Sequence, residues 1–189
     1  LFGVQEKLPL DEDSLPNPST PYAVSKLTGE YYCKVFQKMY NLKYSVVRLS
    51  NSYGPIDPPG KFRNVIPNFI ESALKNKNII ITGTGNETRD FTYIDDTVNG
   101  ILLAATKKNG INQIFNLGTG KETKIRTIAE LIIKNTGSKS KIVYKKRRSF
   151  DPISRRRMNI DKASNLLHYN PEIDVTTGIQ KTCHWFLNR

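Results

Sequence analysis

The sequence predicts an α/β fold: part of a parallel sheet with helical crossovers, continued by a smaller α+β lobe. Three observations predict it. The short apolar segment Leu1-Phe2-Gly3 resembles the end of a buried strand. A helical pattern then opens at Pro21, and the β-branched run 44–49 (YSVVRL) follows directly. Strand end, helix and strand in that order make one βαβ unit, and such units build parallel sheets. Beyond residue 64, helical and strand patterns alternate to the C-terminus.

Taken in order, positions 5–21 carry Asp11 and Glu12, then Pro16, Pro18 and Pro21. Proline fixes φ and lacks a donor, so this stretch is a turn-rich connector. Pro21 suits a first helical turn, and the helix runs to about Met39 with Ala23, Leu27, Tyr31 and Val35 at helical spacing. Strand 44–49 ends in the polar loop 50–55 (SNSYGP). Helix 65–75 and strand 78–82 come next. Then come helix 95–107 capped by an aspartate, strand 113–116, helix 125–135 and strand 141–144. Helices 160–168 and 176–187 finish the chain. The expected organisation is 1–55 for the sheet part and 56–189 for the lobe, with a return to the sheet near 113–118. In open parallel sheets ligands sit beyond the carboxyl ends of the strands, where Leu1-Phe2-Gly3 and Ser50-Asn51 both fall.

Composition narrows the function. Apolar residues make up 38% and charged residues 24% of the 189, as in a soluble globular protein, and no apolar run approaches the ~18 residues of a membrane span. Cys33 and Cys183 form no CxxC pair and have no histidine at ligand spacing. They read as reduced, largely buried thiols, with a disulfide or metal role as the alternative. The net charge of +12 has two readings: a footprint for nucleic acid, or a lysine-rich surface with a few arginines aimed at a small phosphate ligand. The one dense basic cluster is Lys145 to Arg148 with Arg155 to Arg157. Only Tyr144 and Phe150 interleave with it, so no stacking platform for bases is evident.

Two constellations carry chemistry. Tyr22 and Lys26 lie one helical turn apart on one face. A cation there favours the phenolate, a state that can take a proton from a sugar hydroxyl. In an arbitrary helix the same pair is surface decoration. The second is 83–96 (GTGNETRDFTYIDD). Its two glycines permit a tight turn and leave Arg89 at a strand start, where a planar guanidinium suits bidentate phosphate contact. An ordinary loop arginine paired with Asp90 is the alternative. Asp95 and Asp96 read as a helix cap and a structural partner.

At these residues the chain resembles a known family. The segment 21–30 (PYAVSKLTGE) resembles the active-site helix of extended short-chain dehydrogenase/reductases, in particular the NAD-dependent nucleotide-sugar epimerases and dehydratases of the UDP-glucose 4-epimerase type. The resemblance covers essentially the whole chain and implies the C-terminal part of a Rossmann-type sheet. It implies Tyr22 as the acid/base for hydride transfer at sugar C4, and Lys26 as the residue that binds the nicotinamide ribose and tunes that tyrosine. Tyr22, Lys26 and Ser50 would contact NAD. Segment 48–55 (RLSNSYGP) resembles the family's next strand and loop, which implies Asn51 as a substrate contact. The pattern G-x-x-x-x-R-D-[FY] implies that Arg89 holds the diphosphate. Asn64 would reach the nucleotide and Thr82 the base, although by residue pattern alone these two are a helix cap and a buried strand. Arg148 and Asp151 match R-x-x-D, which implies a diphosphate and a ribose contact. Segment 155–163 resembles R-R-x-x-D-I-S-K-A, with Asn159 in place of the usual aspartate. The family's turn N-L-G-T-G, here 116–120, is structural.

The resemblance also implies what precedes this segment: a Gly-rich turn for the NAD pyrophosphate, an acidic residue for the ribose, and a Ser or Thr just before the V-Y-G tripeptide that Leu1-Phe2-Gly3 matches. The natural chain is therefore expected to begin upstream, and the 189-residue segment alone to bind NAD weakly, not to turn over, and to expose an apolar surface where the preceding strands belong. The implied partner is a UDP-sugar or related nucleotide-sugar, the assembly a homodimer and the compartment the cytoplasm. Sibling activities are a 4,6-dehydratase and a UDP-glucuronate decarboxylase. The helix reads Y-A-V-S-K rather than the dehydratases' Y-S-A-S-K and lacks the decarboxylases' Gly-Lys-Arg, which favours a 4-epimerase.

Overall fold

The computed structural model describes residues 2–3, 7–60, 64–147 and 153–189. Helix α1, Pro21–Tyr40, starts where Thr20 accepts the Ala23 N–H in its side chain, with Pro21 in the first turn, and ends at Asn41 in the left-handed conformation. Strand β1 is Ser45–Leu49 and β2 is Asn51–Tyr53. Helix α2 is Val65–Leu74, β3 is Ile79–Thr82, β4 is Thr88–Arg89 and β5 is Phe91–Tyr93. Helix α3 is Ile94–Thr106, β6 is Gln113–Leu117, β7 is Thr123–Lys124 and α4 is Ile125–Thr136. Strand β8, Ile142–Lys145, and helices α5, Asp161–Leu167, and α6, Val175–Leu187, complete the order. No helix among the described residues is long and apolar enough to cross a membrane.

The strands pair in four short ladders. β1 runs parallel to β6, with Val46 opposite Ile114 and Leu49 opposite Leu117. β2 runs parallel to β5, β3 parallel to β8, and β4 antiparallel to β7. The chain changes partner at Ser50: its N–H donates to the Leu117 carbonyl at 2.8 Å, and the next N–H, of Asn51, donates to the Asp90 carbonyl at 3.0 Å. Asn51 therefore opens β2 two residues past the carboxyl end of β1, where the chain changes partner.

Burial follows this division. Ile66, Phe69, Ile70, Ile79, Ile81, Phe91, Ile128, Ile132, Ile179 and Cys183 form the main core of the lobe. Phe115 and Leu117 of β6 pack with Ala104, Leu167 and Tyr169 in a second core. Phe2, Leu10 and Met158 make a third. Burial pushes the Cys183 thiol up to about 12. Cys33 is half-buried, and both thiols are free.

Four expectations change. Segment 51–53 is a strand rather than loop. Strands β4, β5 and β7 have only two or three residues each, too few to show a period. Helix α3 begins at Ile94, with Tyr93 at the cap position and no side-chain cap. Asp95 thus sits in its first turn, while Asp96 is the structural partner, accepting the N–H groups of Glu172 and Ile173 at 3.0 Å each. Lastly, the stripe 23-27-31-35 is not a core face along its length. Only Ala23 and Glu30 of α1 are buried, while Tyr31 and Val35 are exposed, because no described element covers the last turns of the helix.

Candidate active site

One cavity of about 1100 Å³ lies between the start of α1, the β1–β2 switch and the lobe. Tyr22, Asn51, Asn64, Thr82 and Arg89 all line it. Each arrives by a different route, and local structure explains how.

Tyr22 stands in the first turn of α1, 70% exposed, with the Lys26 ammonium 5.3 Å from its ring centroid. The expected i, i+4 pair is thus in contact, although Lys26 itself does not line the cavity. Asn64 occupies the N-cap position of α2 but makes no cap bond. Its amide instead reaches the Ser52 carbonyl at 3.5 Å. Thr82 ends β3. Along that strand Ile79 and Ile81 face the core and Ile80 and Thr82 do not. Ile79 and Gly83 donate to the Lys141 and Lys145 carbonyls of the β8 side, at 2.9 Å each. In a parallel ladder alternate residues bond alternate sides, so the peptide groups of Ile80 and Thr82 face the strand's other edge.

Arg89 is braced from behind. Its Nη1 donates to the carbonyls of Thr88 at 2.8 Å and Ser154 at 3.4 Å, which sets the plane of the guanidinium where it borders the cavity. The turn ahead of it depends on Gly83 and Gly85, at φ of 114° and 81°, a conformation that side chains rarely tolerate. This turn wraps the Glu87 carboxylate, which accepts the Thr84 and Gly85 N–H groups at 3.1 and 2.8 Å. Partial burial works against that carboxylate, but these donors and the nearby Arg147 charge outweigh it and hold Glu87 below the usual range.

Behind Arg89, Asp90 is fully buried. Oδ1 accepts the Thr119 N–H at 2.9 Å and its hydroxyl at 2.7 Å. Oδ2 accepts the Gly120 N–H at 3.0 Å and that of Met158 at 3.5 Å. Burial pushes the carboxyl above its usual range although all four donors pull it down. Asp90 thus fastens the 116–120 turn and the 153–158 segment rather than pairing Arg89.

A model of the NAD dependent epimerase/dehydratase family matches residues 1–118. The chain belongs to this family. It is 38% identical over 188 residues to a protein from Methanocaldococcus jannaschii named as a putative UDP-glucose 4-epimerase, covering all of this chain and 60% of that protein. It superposes on an epimerase from Methanothermobacter thermautotrophicus with a TM-score of 0.96 at 37% identity, over 99% of this chain and 56% of that one. It also matches a Thermotoga maritima UDP-glucose 4-epimerase solved with UDP-glucose, with a TM-score of 0.92 at 33% identity, over 98% of this chain and 59% of that one. The chain thus spans about 60% of the length of the curated relatives it matches.

NAD is the family's cofactor, and the described residues fit one end of it. The exposed Tyr22 hydroxyl and Lys26 ammonium, one turn apart, suit a ribose diol and a nicotinamide amide. The Ser50 hydroxyl shares a hydrogen bond with that of Thr92 at 2.6 Å and, like Lys26, does not border the cavity. Arg148 and Asp151, implied by the family pattern, lie outside the described residues. Reading from sequence missed Glu87, and it noted Arg147 and Arg156 only as part of the basic cluster; all three line the cavity. The signal for Glu87 was its place three residues after Thr84 in a Gly-rich turn.

Proposed function

We propose that the chain supplies the acid/base helix and nucleotide-sugar lobe of an NAD-dependent 4-epimerase, acting on a nucleoside-diphosphate sugar of the UDP-glucose/UDP-galactose type. The observation that supports it is the convergence of Tyr22, Asn51, Asn64, Thr82 and Arg89 on one cavity. Three guanidinium groups, of Arg89, Arg147 and Arg156, border that cavity, and the Glu87 carboxylate stands near them. With Glu71 also on the wall, the lining keeps a net positive charge, which favours a phosphate-bearing anion. The outward peptide groups of Ile80 and Thr82 suit a base that both donates and accepts.

Bound NAD would supply the acceptor for the C4 hydride and its donor to the other face of the resulting ketone. Tyr22 takes the C4 hydroxyl proton as the carbonyl forms and returns a proton to that oxygen when C4 is reduced from its other face. The Lys26 charge stabilises the phenolate between these two transfers. Asn51 and Asn64 orient the sugar and nucleoside while Arg89 anchors the diphosphate, so that the hexose alone turns over. A homodimer formed across α1 would cover its exposed Tyr31, Tyr32, Phe36 and Tyr40.

The test is calorimetric binding of UDP to the full-length protein and to Arg89→Ala. Loss of a charge-assisted bidentate contact of about 1.5–3 kcal/mol predicts affinity at least about tenfold weaker. Unchanged affinity would remove Arg89 from the site.

A further inference from the structure

We infer that Glu30 and Arg48 are positioning residues whose buried ion pair sets where Tyr22 meets the sugar; the inference rests on the catalytic reading of Tyr22 given above. Helix α1 has twenty residues, yet only Ala23 and Glu30 are buried. The helix that carries the proposed acid/base is therefore held at few points, and one of them is a charge.

The pair is planar and doubly bonded. Arg48 Nε donates to Glu30 Oε1 at 2.8 Å and Nη2 to Oε2 at 2.8 Å, with both side chains under a tenth exposed. The remaining nitrogen, Nη1, donates to the Glu12 carbonyl at 2.9 Å, and the guanidinium lies 5.0 Å over the Phe2 ring. The Glu12 carboxylate in turn accepts the Asn116 N–H of β6 at 2.7 Å. One guanidinium thus ties together α1, β1, the 7–20 connector and, through Glu12, β6.

Geometry connects this clamp to the site. Residues 22, 26 and 30 lie on successive turns of one helix face. Arg48 stands three residues before Asn51 on the strand that leads into the cavity. The path from Tyr22 to Asn51 therefore runs down two helical turns, across the fork and up three strand residues. Tyr22 sits about 12 Å along the axis from Glu30, so a tilt of about 5° at the fork moves it by about 1 Å. A displacement of that size costs on the order of a hundredfold in rate. Two well-packed apolar side chains would stabilise the fold at least as well as a buried ion pair. They would not fix the rotation or axial slide of the helix, because apolar contact has no direction.

The decisive variant is Glu30→Met/Arg48→Met in the full-length protein, assayed for interconversion of UDP-glucose and UDP-galactose beside Tyr22→Phe. The expected result is a melting temperature at or above that of the parent and parental UDP affinity and stoichiometry. KM should stay within about threefold, with kcat lower by about ten- to a hundredfold. Parental stoichiometry shows that every molecule is folded and competent, which a loss of structure alone would not give. Parental kcat in the double variant, with Tyr22→Phe inactive, would overturn the positioning role and leave the catalytic reading intact. Parental kcat in Tyr22→Phe would overturn the catalytic reading itself. Should the double variant not fold, Glu30→Gln, which removes one arm of the fork, is expected to lower kcat at constant KM, and parental kcat there would overturn the inference.

Discussion

Replacing Asp90 by asparagine tests how the turn and segment beside Arg89 are supported. Asparagine keeps the shape but offers one carbonyl oxygen where aspartate offers two. With the oxygen placed toward Thr119, both bonds at 2.9 and 2.7 Å survive. The amide nitrogen then faces the Gly120 and Met158 N–H groups, formerly at 3.0 and 3.5 Å, so donors meet donors. The longer contact contributes little. Loss of the shorter one, to a charged acceptor, costs about 1.5–3 kcal/mol. Relief from burying a charge offsets part of that, which leaves a net destabilisation of about 2 kcal/mol. In a protein of this size that lowers the melting temperature by about 4–8 °C. Urea unfolding followed by circular dichroism, in the full-length protein, reads it directly. A change below about 0.5 kcal/mol would refute the argument, since it would mean that the 116–120 turn does not depend on the carboxylate.

Two further predictions concern the same lobe. The Arg155 side chain, bonded to Glu122 at 3.0 and 2.6 Å, and the Thr88 hydroxyl outweigh partial burial and hold that carboxyl at about 2 against an ordinary 4.5. A depressed carboxyl contributes stability above its unfolded value and loses it as pH falls through the folded one. Screened on the open Arg155 side, this is about 1 kcal/mol, present above pH 4.5 and fading toward pH 2. Glu122→Gln should flatten the pH dependence of the urea midpoint in that window, and an unchanged slope would contradict the assignment. At Gly178 in α6, an alanine methyl would overlap the Tyr53 hydroxyl and approach its Cζ to 2.9 Å. Overpacking of about 1–3 kcal/mol exceeds the helix gain of about 1, so Gly178→Ala should destabilise by about 1–2 kcal/mol. A stabilised variant would mean that the Tyr53 ring moves freely.

What was legible in the sequence follows the range of each signal. Helix α1 was readable because Pro21 and the spacing of Ala23, Leu27, Tyr31 and Val35 are local signals. Helices α2 to α6 and strands β1, β3, β6 and β8 likewise carry their own periods. Asp96 was readable as a structural partner, but its donors and those of Asp90 were not, because they lie 29 to 77 residues away in the chain. Ser50 shows the same limit on a smaller scale: its position was clear, but the turn of its hydroxyl toward Thr92 depends on the β2–β5 pairing. Glu30 carries no local sign of its role, because its partner Arg48 lies 18 residues further along the chain.

The most direct measurement of the central claim is proton NMR of UDP-glucose incubated with the full-length protein and NAD. The account predicts a new UDP-galactose anomeric signal that is abolished by Tyr22→Phe. A 4-keto-6-deoxy product, or conversion that survives Tyr22→Phe, would contradict it.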